Sequence, residues 1–314
     1  MDNEKKIRVI FIGTPGFGIP TLKALNKDNY FEIIAVITQP DVFVGRHKTL
    51  TSSLIKVVAQ KYNWLIFQPI KIEKIAEQIK ALEPDIIVVI AYAQILPEKI
   101  LNIPKYGCIN LHGSLLPKYR GAAVIQAAIL NNDSQTGLTI IKMNKDLDSG
   151  PILAQIAIPI NTNDTYDSLY NKLSNIAPDF FINTLKKYIQ AEIIPQTQDE
   201  TKISYVKQIN KNDGLINWDE KAEKIERLVR AMTPWPSAWT WWNGKQLKII
   251  AVQNKLIEIN AYKPGKTFIY NRGLAVQCGQ NALIINKLQL EGKKELTSEE
   301  FLLGQRDFIG SVLN

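Results

Sequence analysis

Short β-branched runs alternate with amphipathic stretches from Ile7 to about residue 190, and this alternation limits the fold more than any other feature of the chain. Residues 7–12, 33–38, 86–91 and 108–111 are short, mainly apolar and β-branched runs that read as buried strands. Between them, helical spacing is found at residues 20–26, 73–82 and 121–130, and after Thr51-Ser52-Ser53, where Leu54, Ile55, Val57 and Val58 follow. Strand, helix, strand repetition implies an α/β fold with a doubly wound, mostly parallel sheet of the Rossmann-like kind. Residues 136–142 and 152–160 add two strands. A long helix opening near Asn163-Asp164 carries Tyr166, Leu169, Tyr170, Leu173, Ile176 and Phe180 at helical spacing and closes a first domain over residues 1–190.

The texture then changes. Residues 191–204, with Pro195-Gln-Thr-Gln-Asp-Glu-Thr201, read as a polar linker, and residues 205–314 as a second domain. That domain has one amphipathic helix over residues 219–232, N-capped by Asp219, with Ala222, Ile225, Leu228, Val229 and Met232 on its apolar face. Short strands follow at 238–242, 246–252, 267–270, 274–278 and 283–288. They are punctuated by Asn243-Gly244, Pro264-Gly265, Asn271-Arg-Gly273 and Gly279, the pattern of a small OB-like β-barrel.

Composition excludes several classes. With 314 residues, 46% apolar and 22% charged, the chain is globular and long enough for two cores. No apolar run is long enough to span a bilayer, and a start bearing Asp2 and Glu4 fits neither a signal nor a transit peptide, so a soluble cytoplasmic protein is expected. The two cysteines, Cys108 and Cys278, sit in apolar stretches, and only two histidines occur, so neither a disulfide framework nor a Cys/His metal cluster is expected. The net charge of +8 is uneven: residues 201–314 carry 17 basic and 11 acidic side chains, against 21 and 19 in residues 1–200. A basic second domain suits a polyanionic partner, because neutralising phosphates releases counterions.

The segment Asn110-Leu-His-Gly-Ser-Leu-Leu-Pro-Lys-Tyr-Arg-Gly121 begins where a buried strand gives way to a loop, the place where ligands bind in open α/β sheets. Side chains two apart on a strand face the same way, so Asn110 and His112 converge while Leu111 turns away. An amide and an imidazole so placed can donate hydrogen bonds to an oxygen that becomes negative as a carbonyl is attacked. A carboxylate is needed to orient the imidazole, and Lys145-Asp-Leu-Asp-Ser-Gly150 offers Asp146 and Asp148, between which spacing does not choose. The other histidine, His47, lies in a polar loop away from any strand end.

Asn110-Leu-His-Gly-Ser-Leu-Leu-Pro117 and Leu147-Asp148-Ser-Gly150 resemble the signature segments of the folate-dependent formyltransferases. Further matches run nearly from end to end: Ile12-Gly-Thr-Pro15 with Phe17, Thr38-Gln-Pro-Asp41, Gly45-Arg46, Phe67-Gln-Pro69, Tyr119-Arg-Gly-Ala-Ala123, Trp235-Pro236 and Gly292-Lys-Lys294. The resemblance implies a catalytic trio of Asn110, His112 and Asp148. It implies a first domain that binds 10-formyl-tetrahydrofolate as formyl donor, a basic second domain that helps hold tRNA, and no metal. It implies transfer of formyl to methionyl initiator tRNA; the chain is expected to be a monomer. On the same resemblance Ser114, Leu115, Leu116 and Pro117 contribute to the folate site, the loop from Ala91 and Tyr92 to Pro97 lines the pterin pocket, and Arg46 and Lys48 meet tRNA phosphates. The chain departs from the family's usual pattern at Ala93, where glycine is common, at His47-Lys48-Thr49, where a denser Gly-Lys-Lys run is common, and at Val124, where proline is common.

Other readings carry less. Gly13-Thr-Pro-Gly-Phe-Gly18 follows the first strand but lacks the spacing of a dinucleotide loop. Trp235, Trp239, Trp241 and Trp242 read as barrel core with room for one or two exposed rings. Cys108 reads as packing, since nothing nearby activates a thiol. Two competing functions remain in view: a formyltransferase acting on an amino-sugar nucleotide, and a non-catalytic RNA-binding protein.

Overall fold

The computed structural model describes residues 5–44, 48–254 and 256–314. Two compact units emerge, one formed by residues up to Val124, Thr136–Ile158 and Tyr170–Val206, the other by Ile125–Gln135, Pro159–Leu169 and Lys207–Asn314.

Among the described residues the first unit contains β1 (Ile7–Gly13), β2 (Phe31–Ile37), β3 (Val42–Val44), β4 (Thr49–Thr51), β5 (Ile66–Phe67), β6 (Ile86–Ile90), β7 (Cys108–His112), β8 (Arg120–Gly121), β9 (Gln135–Lys142) and β10 (Ile152–Pro159). Seven of them form one sheet in the order β10-β9-β7-β6-β1-β2-β5. The pairs β1–β2, β1–β6, β2–β5 and β6–β7 are parallel, and β7–β9 is antiparallel. Helices α1 (Ile19–Lys27), α2 (Leu54–Lys61), α3 (Ala76–Ala81) and α4 (Glu98–Leu101) fall between strands; α5 (Val124–Leu130) belongs almost wholly to the second unit, and the long α6 (Tyr166–Ile189) to the first from Tyr170 on.

The reason for the parallel core is visible in its burial. Every residue of β6 and Val9 to Gly13 of β1 are buried, so both faces of each strand are covered, as an unbroken apolar run requires. Ile10, Ile12, Ala35, Ile37, Ile87, Val89 and Cys108 share one face and pack with Ala76, Ile79, Ile100 and Leu101 of α3 and α4.

The polar segment after α6 is tied down rather than loose. Ile152 and Gln196 exchange backbone hydrogen bonds of 2.7 and 2.8 Å. Further on, β11 (Tyr205–Val206) pairs in parallel with β8. That pairing also explains why the helix expected from residue 121 starts only at Val124: Arg120 and Gly121 are held extended by Ser204, Tyr205 and Val206. The expected helix at 73–82 is divided into a 3-10 turn, Ile72–Ile75, and α3.

The second unit has α7 (Ala222–Met232), then β12 (Ala238–Trp242), β13 (Lys245–Val252), β14 (Thr267–Tyr270), β15 (Gly273–Gln277), β16 (Ala282–Leu290) and β17 (Leu296–Thr297), then α8 (Ser298–Gly304). The strands form an antiparallel sheet in the order β12-β13-β16-β15-β14, with β17 on β16. Residues 311–314 bond to both edges: Trp241 and Asn314 exchange hydrogen bonds of 2.8 and 3.2 Å, while Thr267 donates to Ser311 at 3.0 Å. The sheet is thereby closed and barrel-like around Trp218, Ile225, Val229, Leu247, Leu288, Phe301 and Phe308. Trp239 and Trp242 are core; Trp235 and Trp241 are exposed, at 58% and 43%.

The expectation that Asp219 caps α7 is corrected. The N-cap is Lys221, which makes no side-chain cap bond, and the helix opens at Ala222. The preceding turn is committed elsewhere: the Gly279 N–H meets the carbonyls of Trp218 and Glu220, and the Ala222 N–H donates to Gln280 at 3.0 Å. Tertiary backbone pairing satisfies the helix start that a capping side chain would otherwise serve.

Candidate active site

Strand β7 puts Asn110 opposite Val89 of β6 and Ile141 of β9, with His112 two residues on and opposite Thr139. The two side chains leave the same face at the carboxyl end of a parallel strand, one strand away from the β1/β6 boundary where the sheet order reverses.

His112 is 6% exposed. Its Nε2 lies 2.8 Å from the carbonyl oxygen of Tyr119, and its Nδ1 lies 3.6 Å from Oδ1 of Asp148. Both ring nitrogens thus face oxygens. The second carboxylate oxygen of Asp148 accepts the Gly121 N–H at 2.8 Å. The structure therefore separates the two aspartates that spacing left open: Asp148 reaches His112, while Asp146 is exposed and, among the described residues, bonds within its own turn. Asp148 and Tyr119, in two different loops, both have left-handed backbones, φ 49° and 63°, a conformation that costs a residue with a Cβ and that its surroundings must hold.

Asn110 donates from Nδ2 to the Val89 carbonyl at 3.1 Å, and among the described residues its buried Oδ1 has no partner. The buried hydroxyl of Tyr92 is likewise unpartnered, and burial pushes this phenol up to about 12. A buried polar atom left unmatched costs about 1–3 kcal/mol, so each of these two atoms, on β7 and just after β6, would gain from a polar partner. The backbone oxygen of Tyr92 accepts from Gln39 at 2.9 Å, which fixes the loop, and its neighbours Ala91 and Ala93 have φ 52° and 66°.

The loop after β7 is stitched from inside. Ser114 is buried and donates its hydroxyl to the Lys118 carbonyl at 2.7 Å, so it shapes the loop. Leu116 is also buried; its N–H donates to Thr139 at 3.0 Å and its carbonyl accepts from Gln155 at 2.8 Å. Leu115 and Pro117 are partly exposed, and Leu115 lies against Gly137, where a Cβ would meet its Cδ2 at 2.6 Å. Of the two residues expected at tRNA phosphates, Arg46 lies outside the described residues, and Lys48 is exposed at the turn before β4. The root of that hairpin is anchored by Asp41, which accepts from Lys56 at 2.6 Å, Gln68 at 2.7 Å and Ser52 at 3.1 Å, and these bonds, Lys56 first, hold its carboxyl below the usual range.

Cys108 is buried on β7, its thiol pushed up to about 12 by burial, and Cys278 is buried with a thiol also near 12. Since the thiolate is the reactive form, neither cysteine in the folded protein is expected to be alkylated by iodoacetamide at neutral pH within the time that both react in denaturant. Mass spectrometry reads this directly, and rapid native labelling of Cys108 would return it to the list of nucleophiles.

Three residues around Asp148 were not singled out from the sequence: Gly121, whose N–H holds the carboxylate, and the buried pair Arg120 and Gln198. Among the described residues no three His, Cys, Asp or Glu side chains gather as metal ligands do, and no helix is long and apolar enough to cross a membrane.

Residues 5–185 match the formyl transferase family, and residues 208–306 match the family described as formyl transferase, C-terminal domain. The methionyl-tRNA formyltransferase of Citrifermentans bemidjiense is 40% identical over 310 residues, covering 98% of this chain and 96% of its own. That of Caldanaerobacter subterraneus subsp. tengcongensis is 39% identical over 311 residues, covering 98% and 100%. Among solved structures, a sugar 3N-formyltransferase crystallised with dTDP and 5-N-formyl-THF superposes with a TM-score of 0.66 at 23% identity, covering 92% of this chain and 100% of the other, a likeness of fold. On the matched families and the near full-length identity together, the chain belongs to the formyltransferase family.

Proposed function

We propose that this formyltransferase moves the formyl group of 10-formyl-tetrahydrofolate to the free amino group of methionyl initiator tRNA, and that Asn110, His112 and Asp148 carry the reaction. The chemistry is supported by one observation above the others: an amide and an imidazole leave one strand end together, and a carboxylate stands 3.6 Å from the imidazole. The acceptor is supported by the relatives, 39–40% identical over nearly the whole chain, and by the basic excess of residues 201–314. In this reading residues 1–190 are the catalytic domain, 191–204 the linker and 205–314 the tRNA-binding domain, in a monomer of the cytoplasm. Tyr92 and residues Ser114 to Pro117 border the donor, while Arg46 and Lys48 meet acceptor phosphates.

The donor supplies a formyl carbon whose bond to the carrier nitrogen is exchanged for a bond to the methionyl amine. As the amine attacks, charge gathers on the formyl oxygen. Asn110 answers it with the Nδ2 hydrogen not given to Val89, and His112 with a ring N–H. Because Nε2 faces the Tyr119 carbonyl, donation from that nitrogen exchanges one oxygen partner for another. Asp148 favours the charged ring and, directly or through a water, takes the proton the amine loses, which ends on the departing carrier nitrogen.

The test is transfer of labelled formyl from 10-formyl-tetrahydrofolate to purified methionyl initiator tRNA, beside uncharged tRNA and an amino-sugar nucleotide. Label on methionyl-tRNA alone is expected. Label on the sugar would overturn the acceptor and leave the trio standing, and salt-sensitive tRNA binding with no turnover would overturn catalysis.

A further inference from the structure

The carboxylate of Asp148 is held by Gly121, but its left-handed backbone is held by a residue 50 positions away. Gln198 is 5% exposed and donates from Nε2 to the carbonyls of Asp148, at 2.7 Å, and Gly150, at 2.8 Å. Its Oε1 accepts from Nε and Nη2 of Arg120, at 3.1 and 2.9 Å. An amide has two donor hydrogens and two acceptor lone pairs, and here all four are used.

The polarity of this clamp has one solution. A guanidinium only donates, so the amide must turn its oxygen to Arg120, itself 4% exposed. Its NH2 then has to face the loop, where two carbonyls converge on it. At Gly150 the loop runs close against the neighbouring backbone, where even a Cβ would stand 1.9 Å from the Lys142 carbonyl. Arg120 also immediately precedes Gly121, so backbone and carboxylate of Asp148 are both referred to the short strand β8.

We infer that Gln198 is a positioning residue for the reaction: oriented by Arg120, it fixes the backbone of Asp148 so that the carboxylate faces His112. This rests on the catalytic reading of Asp148 given above. It assigns work to the segment whose polar composition reads as a linker.

Gln198→Glu is the sharp variant, because it keeps an acceptor for Arg120 and replaces the donor facing two carbonyls with an oxygen. It is expected to lower kcat on the order of ten- to a hundredfold, the scale of a small misplacement, while KM for the formyl donor and for methionyl-tRNA stays within about twofold. In an Asp148→Asn background the same change is expected to add almost nothing, because it acts through the carboxylate already removed. A purely structural role would instead multiply the two losses. Should Gln198→Glu fail to fold, the pair Arg120→Met with Gln198→Met removes the clamp without leaving a guanidinium facing no acceptor, and the same kcat loss is expected. Wild-type kcat in the clamp variants, or a full multiplication with Asp148→Asn, overturns the inference alone. Near-normal turnover by Asp148→Asn itself would sink the catalytic reading and the inference with it.

Discussion

Replacing His112 with alanine is expected to lower kcat by about a hundredfold or more, roughly 3 kcal/mol of transition-state stabilisation, while donor affinity changes little. Among the described residues the ring is the one imidazole, it is buried, and Asp148 stands on its Nδ1 side. An alanine there leaves a space that water can enter but supplies no oriented donor. Asn110→Ala is expected to cost a similar factor, since Asn110 is the other candidate donor to the formyl oxygen. Initial rates with labelled donor and saturating methionyl-tRNA measure both. Activity of His112→Ala within about threefold of the unaltered protein would remove the imidazole from the mechanism.

Asp148→Asn is expected to reduce kcat by about a hundred- to ten-thousandfold, although nothing changes in volume. The new amide can keep an oxygen toward the Gly121 N–H only by turning its NH2 toward Nδ1 of His112. A donor then faces a nitrogen that in the native site faces a carboxylate oxygen. The alternative rotamer puts NH2 against the Gly121 N–H, two donors face to face. The upper figure is the scale found when the carboxylate behind a catalytic histidine is made an amide in a serine protease, and the lower allows for the looser 3.6 Å spacing here. Single-turnover rates separate this loss from product release. A variant whose single-turnover rate is unchanged would show that the carboxylate only shapes the loop.

The parallel core was legible because its strands are apolar on both faces; Val9 to Ile12 and Ile86 to Ile90 admit little else. Asn110 and His112 were legible for a simpler reason, since a two-residue spacing on a strand fixes a shared face. Asp148 was not separable from Asp146 by spacing, because the choice depends on a left-handed residue and on Gly121 from another loop. Gln198 was hidden by its neighbours: Pro195 to Thr201 has the composition of a solvated loop, and its buried amide is defined by Arg120, 78 positions away. Asp219 looked like a cap because sequence cannot show that Gln280 already serves the helix start. A readable signal was also passed over, the capping box of Thr297 and Glu300 that opens α8.

Closure of the second unit's sheet by residues 311–314 sets an order of assembly. Thr240 and Asn314 are 74 positions apart yet share a 2.8 Å hydrogen bond, so the seam between β12 and β14 forms only after nearly everything between them is in place. Distant pairings of this kind slow folding, because loop-closure entropy is lost before the contact repays it. Until the seam forms, β12 and β14, each paired on one side only, present unpaired backbone along their outer edges, with Trp241 exposed on β12. Such edges are templates for strands from other chains. The last few residues therefore act as a lock against misassembly, and a nascent chain paused before residue 311 would be at its most sticky.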